Sequence, residues 1–326
     1  MSVKNWLVAG ALLLPSLSVQ ADYTSNPQVA GFVDEMVAEH GFERAELTEL
    51  FSEAEKQQSI IDAISRPAER VKPWKDYRKI FLGGDRAERG AAFYKKYKAE
   101  LDRAEQVYGV PAEIIIAIIG VETRYGSFTG RYRVLDSLST LAFDYPPRAK
   151  FFRSELVHYL ILTREQGVDP RSLKGSYAGA MGWGQFISSS YRHYAVDFDH
   201  DGHIDIWNNP SDAIGSVANY FKEHGWKAGE PVVERVAVAK GADASKVNTG
   251  LKLRFTVGEL TASGYTAHAR LAKDMPANIW KLDGADGDEY WMALPNFFAI
   301  TRYNHSQLYA MAVYQLSQEI AVLIKP

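Results

Sequence analysis

Residues 111–126, PAEIIIAIIGVETRYG, constrain this chain more than any other stretch. Pro111 suits the first helical position, where a missing N–H costs nothing. Ile114, Ile115, Ile116, Ile118, Ile119 and Val121 then put apolar side chains on every face, so the spacing predicts a helix buried all round. The rest of a domain has to wrap around it. Glu122 stands near the helix end and, on a 3.6-residue period, shares a face with Ile115, Ile118 and Ile119. Desolvation there disfavours the carboxylate, and a carboxyl that stays protonated near neutral pH is what a general acid needs. A second reading stays open from these residues alone: a helix-end glutamate that reaches water or pairs with Arg124.

The 326 residues, 46% of them hydrophobic, suffice for roughly two or three compact units. Residues 1–21 stand apart. Lys4 precedes the apolar run WLVAGALLLPSLSV, and Val19-Gln20-Ala21 forms a small-residue cleavage pattern ahead of Asp22. The run is short for a bilayer and Pro15 interrupts it, so the segment reads as a signal peptide cleaved near Ala21, with an uncleaved anchor as the alternative. No other stretch is long and apolar enough for a membrane span. The chain has no cysteine, which excludes disulfides, thiolate catalysis, thiolate metal sites and a lipid attachment point. Without Lys4, 36 basic residues face 40 acidic ones, a balance that does not suit nucleic acid.

Residues 27–65 carry helical patterns, through Val29, Phe32, Val33, Met36 and Val37, then through Leu47, Leu50, Phe51 and Ala54 after Gly41. Pro67 and Pro73 interrupt them, and a long amphipathic helix is expected through Phe93, Tyr94, Tyr97, Leu101 and Ala104. Tyr108-Gly109-Val110-Pro111 reads as a stop followed by a start, which puts a domain boundary there. Beyond Gly126 come a helix entered at Asp136, a break over residues 143–148, and a periodic helix through Phe152, Leu156, Tyr159, Leu160 and Leu162. In GSYAGAMGWGQF, residues 175–186, four glycines fall within ten residues and leave Ser176, Tyr177 and Gln185 as polar handles. That density suits close approach to a ligand, and equally tight helix packing.

DFDHDGHID, residues 197–205, follows the calcium-loop pattern. Asp197, Asp199 and Asp201 take the alternating carboxylate positions, Gly202 the turn, His203 the backbone carbonyl, Ile204 the apolar position and Asp205 the ninth. Asn208 at the twelfth cannot chelate as a carboxylate does, and Asp212 is placed to close a longer loop. Oxygen-only ligands suit a structural hard cation rather than zinc, and a solvated acidic turn is the other reading. Residues 230–288 change character. Val232, Val233, Val236 and Val238, then Leu251, Leu253, Phe255 and Val257, suggest short strands, and 279–282 with 289–291 a hairpin around Asp286-Gly287. Helical spacing returns from Tyr309 to the end.

A helix-end glutamate, a glycine-rich loop, a calcium-like loop and 18 tyrosines with 7 tryptophans form a constellation suited to stacking sugar rings. From about Pro27 onward the chain resembles the lytic transglycosylase B family of bacterial cell-wall enzymes. The resemblance rests on GVETRYG at 120–126, GSYAGAMGWGQF at 175–186, AVDFDHDGHIDIW at 195–207, DAIGSVANYF at 212–221 and NFFAITRYN at 296–304. It implies a mainly α (α+β) protein with a lysozyme-like α core at 109–228 plus 294–307 and an EF-hand-like calcium loop. A helical N-terminal domain at 22–108, joined by a C-terminal helix at 308–326, and a small β-rich domain at 229–293 would flank that core. It implies cleavage of the β-1,4 bond between N-acetylmuramic acid and N-acetylglucosamine in peptidoglycan, with 1,6-anhydromuramic ends and no water consumed. Residue by residue, Glu122 matches the catalytic glutamate. Ser176, Tyr177, Met181, Gln185, Tyr220, Tyr303, Asn304 and Tyr309 match substrate-binding positions, and Asp197, Asp199, Asp201, the carbonyl of His203 and Asp212 match the calcium ligands. The implied partners are glycan strands and other cell-wall enzymes, and the implied location is the periplasm, in soluble form because the lipidated cysteine of membrane-bound members is lacking. Ile187-Ser188 stands where many relatives have Met-Pro. Two other activities fit parts of the pattern. A lysozyme-type hydrolase would use Asp136 or Asp144 to activate water, and a non-catalytic peptidoglycan-binding protein would use only the aromatics and calcium.

Overall fold

The computed structural model describes residues 23–66 and 72–325; the expected signal segment and the break at Pro67 lie outside them. The chain divides by compactness after Lys56. In the first unit, α1 (Pro27–His40) starts where the Asn26 side chain accepts the Gln28 N–H at 2.9 Å, and ends at Gly41 with φ 63°. Its apolar face, with that of α2 (Arg44–Ser52), buries Val29, Phe32, Met36, Leu47 and Phe51. The rings of Phe32 and Phe51 meet edge-on at 5.7 Å.

The larger unit begins with α3 (Gln58–Ser65) and α4 (Trp74–Tyr77), followed by α5 (Arg86–Lys96) and α6 (Lys98–Tyr108). One long helix was expected over the last two. The chain instead breaks at Tyr97, with φ −120° and ψ 33°, and the break brings both Phe93 and Tyr97 to Trp183, at 6.0 and 6.1 Å between ring centroids. The apolar helix is α7 (Ala112–Thr123), with Pro111 as its cap rather than its first residue. Helices α5 and α6 pack on it together with two later ones, α11 (Pro210–Glu223) and α14 (Gln307–Ile324), so the residues from Ile115 to Ile119 are fully buried. Apolarity on every face is thereby explained.

Between them run β1 (Tyr132–Arg133), α8 (Val134–Phe143), α9 (Ala149–Glu165), β2 (Lys174–Gly175) and α10 (Ser188–Tyr194). After α11 comes a five-stranded antiparallel sheet in the order β4-β6-β7-β3-β5. Its strands are β3 (Val233–Val238), β4 (Phe255–Thr256), β5 (Tyr265–Ala267), β6 (Pro276–Gly284) and β7 (Gly287–Ala293). The expected hairpin is there, with Gly284 paired to Gly287 across Ala285-Asp286. Leu251 and Leu253 form no strand, and Val257 opens a helix, α12 (Val257–Ala262). The cause is a capping box in which Thr256 and Glu259 exchange side-chain and backbone hydrogen bonds.

The sheet leaves and re-enters the helical body at one point. The buried Asn296 side chain accepts the Lys227 N–H and donates to the carbonyls of Lys227 and Glu230, each at 2.8 Å. It sits in α13 (Pro295–Tyr303), so this stitch fixes the helix that delivers Tyr303. Among the described residues no single helix is long and apolar enough to cross a membrane.

Candidate active site

Glu122 occupies the last turn of α7, which is closed by two successive left-handed residues, Arg124 (φ 49°) and Tyr125 (φ 61°). Their N–H groups return to the carbonyls of Gly120 and Ile119 at 3.2 and 3.3 Å, an ending usually left to glycine. The partner of Glu122 is not Arg124. Its Oε1 accepts the Tyr309 hydroxyl at 2.5 Å, from a phenol that α14 holds almost completely buried. Burial pushes the carboxyl up to about 7, and the hydrogen bond from Tyr309 works against that rise. Tyr77 and Tyr303 also lie within the field of Glu122, and burial together with its charge keeps both phenols protonated. Tyr309→Phe is therefore expected to raise the Glu122 pKa further and carry the alkaline limb of the pH–rate profile to higher pH. An unmoved limb would show that the bond has no hold on the proton.

The glycine-rich loop is pinned to this helix end. The Thr123 hydroxyl lies 2.9 Å from the Trp183 carbonyl and accepts the Gly126 N–H at 3.0 Å. Gln185 is held at φ 53°, and its Nε2 donates to the carbonyls of Thr129 and Gly182 at 3.1 and 3.0 Å. Tyr303 donates to the Gly184 carbonyl at 2.6 Å and Tyr220 to that of Arg302 at 2.7 Å, and the two rings stand 4.8 Å apart. Ser176 Oγ accepts the N–H groups of Ala178 and Ala180 at 3.3 and 3.1 Å, which leaves its own hydrogen to donate outward. Tyr177 and Asn304 are exposed. Met181, expected to touch sugar, has no exposed surface; its main chain pairs with Phe186, so it shapes the loop from beneath.

Two clefts result. One of about 410 Å³ is lined by Glu122, Val121, Thr123, Ile80, Phe81 and Phe128, and one of about 300 Å³ by Gln185, Phe186, Tyr220, Tyr303, Phe151 and His305. Phe81, Phe128, Phe151 and His305 were not anticipated. Phe128 is 69% exposed, and only burial reveals that; in sequence it is one more aromatic. Among the described residues Glu122 is the one carboxylate lining either cleft. Asp136 is buried and bound by both arms of Arg133, at 2.7 and 2.9 Å, and so is unavailable to activate water.

In the acidic loop, carboxylate oxygens of Asp197, Asp199 and Asp212 lie within 4.8 Å of one another. Asp212 is fully buried and accepts the N–H groups of Phe198 and Asp205 at 2.7 and 2.8 Å, closing the loop from the first turn of α11. Asp205 caps the next turn through Trp207 and Asn208, and Asp201 accepts the His203 N–H at 2.8 Å, outside the three-carboxylate group. Three hard oxygen donors that repel one another fit a calcium-like cation. The Trp183 N–H donates to the Ile206 carbonyl at 3.0 Å, so this loop also supports the one carrying Gln185.

The transglycosylase SLT domain family matches residues 24–318. The chain is 46% identical over 325 residues to the membrane-bound lytic murein transglycosylase B of Escherichia coli (strain K12), covering 96% of this chain and 89% of the relative. The catenated lytic transglycosylase SltB1 of Pseudomonas aeruginosa is a solved structure 57% identical to it, with a TM-score of 0.90 over 92% of this chain and 99% of that one. The Escherichia coli lytic transglycosylase Slt35 in complex with calcium is 46% identical, with a TM-score of 0.86 over 94% of this chain and 96% of that one.

Proposed function

Because the chain belongs to the SLT-domain transglycosylases, and is a lytic murein transglycosylase that cleaves peptidoglycan on a lysozyme-like α core, we propose that Glu122 alone serves as its acid and base. The observation that carries this is a desolvated carboxyl in a cleft that, among the described residues, no other carboxylate lines. Protonated Glu122 gives its proton to the glycosidic oxygen as the bond from C1 of N-acetylmuramic acid to O4 of N-acetylglucosamine breaks. The muramic C6 hydroxyl then closes on C1, and Glu122, now a carboxylate, takes the hydroxyl proton. A 1,6-anhydro ring forms, the acid is regenerated, and the second carboxylate of ordinary glycosidases has no task. Ser176 and Asn304 orient the substrate acetamido oxygen toward the positive C1, and wild-type turnover by Ser176→Ala/Asn304→Ala would remove them from this role. Mass spectrometry of the products tests the reaction: products one water lighter than hydrolysis products are expected, and reducing ends of full mass would favour the hydrolase.

The catalytic core is assigned to 109–228 plus 294–307, with Tyr309 supplied by the C-terminal helix, and the place of work is the periplasm. Asp197, Asp199 and Asp212, with Asp201 and the His203 carbonyl, are the residues that would hold calcium, whose contribution is to neutralise the loop. Calcium at 100 times its Kd is expected to stabilise the protein by about 2.7 kcal/mol. A Tm that calcium raises in the wild type but not in Asp199→Asn supports this assignment, and equal melting with and without the ion removes it.

A further inference from the structure

A third cleft, of about 330 Å³, adjoins the one lined by Glu122 and shares Ile80, Arg86 and Arg124 with it. Its wall is cationic, with Lys79, Arg86, Arg89 and Arg124 against one carboxylate, Asp85. Among the described residues no ion pair joins any of the three arginines to a carboxylate, and Lys79 pairs only with Asp76, at 3.1 Å. Arg86 reaches the carbonyls of Gly120 and Ile80, both at 3.3 Å, and Arg89 reaches the Arg124 carbonyl at 3.0 Å and Ser127 Oγ at 2.8 Å. The bonds to Gly120 and Arg124 satisfy carbonyls at the end of α7, so each of these two arginines has a structural use that occupies part of its five-donor fork. Arg124 has no such use. It is exposed, and its guanidinium lies over the Phe128 ring at 5.9 Å. Gly83 and Gly84, at φ 104° and 66°, also line the cleft, and a Cβ on either would meet nothing within 4 Å, so the space beside them is open.

The three arginines, crowded together without a carboxylate ion pair among the described residues, repel one another, Arg124 and Arg89 both acting on Arg86, and such a cluster raises the local concentration of anions. Peptidoglycan presents an anion here, since the peptide hangs from the same muramic ring whose bond is cut and ends in a carboxylate. We infer that the Lys79–Arg124 cleft is a carboxylate subsite that reads the peptide on the glycan, so that peptide-bearing strands are preferred to bare ones. This rests on the cleavage reading above. Arg124 is its specificity-determining residue, with Lys79 beside it and Arg86 and Arg89 supplying field from fixed positions.

The test compares kcat/KM on two substrates, glycan strands with their peptides and the same strands stripped of them by an amidase. The wild type should favour the peptide-bearing strands, and Lys79→Gln/Arg124→Gln should cut that preference about tenfold, as expected for lost charge-assisted hydrogen bonds. Arg124→Lys, which keeps the charge, should retain most of it, and rising salt should erode it in the wild type. A wild type indifferent to the peptide, or a double variant with an unchanged preference, overturns the subsite. Binding of the same two strands to Glu122→Gln, which needs no cleavage, separates the two readings. A peptide preference in binding upholds the subsite even if the cleavage reading fails, and equal affinities overturn it.

Discussion

Glu122→Gln is expected to lower kcat on peptidoglycan by about three to four orders of magnitude, because one group performs both proton transfers and an amide performs neither. Single-turnover release of anhydro products measures the loss. Retention of more than a tenth of the wild-type rate would remove Glu122 from the chemistry. The same substitution has a second, opposite effect. Burial holds the folded carboxyl at about 7 against an ordinary value of 4.5, so between those values the folded protein keeps a proton that the unfolded chain has lost. The stability contributed is fully present below the ordinary value and is lost as pH rises through about 7. A glutamine cannot ionise and keeps it. The variant should therefore be the more stable protein at pH 8, by up to about 3 kcal/mol, with the difference vanishing near pH 4. Paired denaturant titrations at the two pH values read this directly. An inactive variant that is more stable only at alkaline pH would show that the proton needed for catalysis is held at a cost in stability.

The pattern of what could be read in the sequence has a physical basis. The buried helix and its glutamate were legible because apolarity on every face is a local signal, and the calcium-like loop because its ligands sit at fixed short spacing. Asp212, four residues beyond the twelfth position, was legible as the closing carboxylate only because Asn208 left that position without one. The Tyr309 bond to Glu122 spans 187 residues and depends on α14 packing against α7, which no local pattern encodes. The break at Tyr97 was hidden because Phe93, Tyr97, Leu101 and Ala104 keep helical spacing straight across it. Val257 is the converse case. Its β-branched neighbourhood suggested a strand, while the four-residue sequence Thr256-Val257-Gly258-Glu259 already carried the capping box that makes it a helix. The cationic cleft likewise escaped notice because Lys79, Arg86, Arg89 and Arg124 are ordinary surface residues until the fold places them together.

The second large effect concerns the glycine-rich loop. Gly130 has φ +107°, and a Cβ there would lie 1.9 Å from the Gly175 carbonyl carbon. Gly175 cannot retreat, because it pairs with Tyr132 on one side and a Cβ of its own would stand 2.4 Å from the Ala180 carbonyl oxygen on the other. The neighbouring Thr129 carbonyl accepts Gln185 Nε2 at 3.1 Å, so a wedge at Gly130 displaces Ser176 and Gln185 together. Gly130→Ala is expected to cost about 3 to 5 kcal/mol, through backbone overlap and a strained φ, and to depress activity in whatever remains folded. Gly31→Ala provides the contrast, since Gly31 lies within α1 and a Cβ there meets nothing within 4 Å. That substitution should stabilise its helix by about 0.5 to 1 kcal/mol. Wild-type stability for Gly130→Ala would mean that the loop can part from β1 and β2 without strain, leaving the positions of Ser176 and Gln185 unfixed by this contact. Opposite signs for the same added methyl would show that position 130 is glycine for close backbone approach to Gly175, which is how the loop is held beside the end of the helix that carries Glu122.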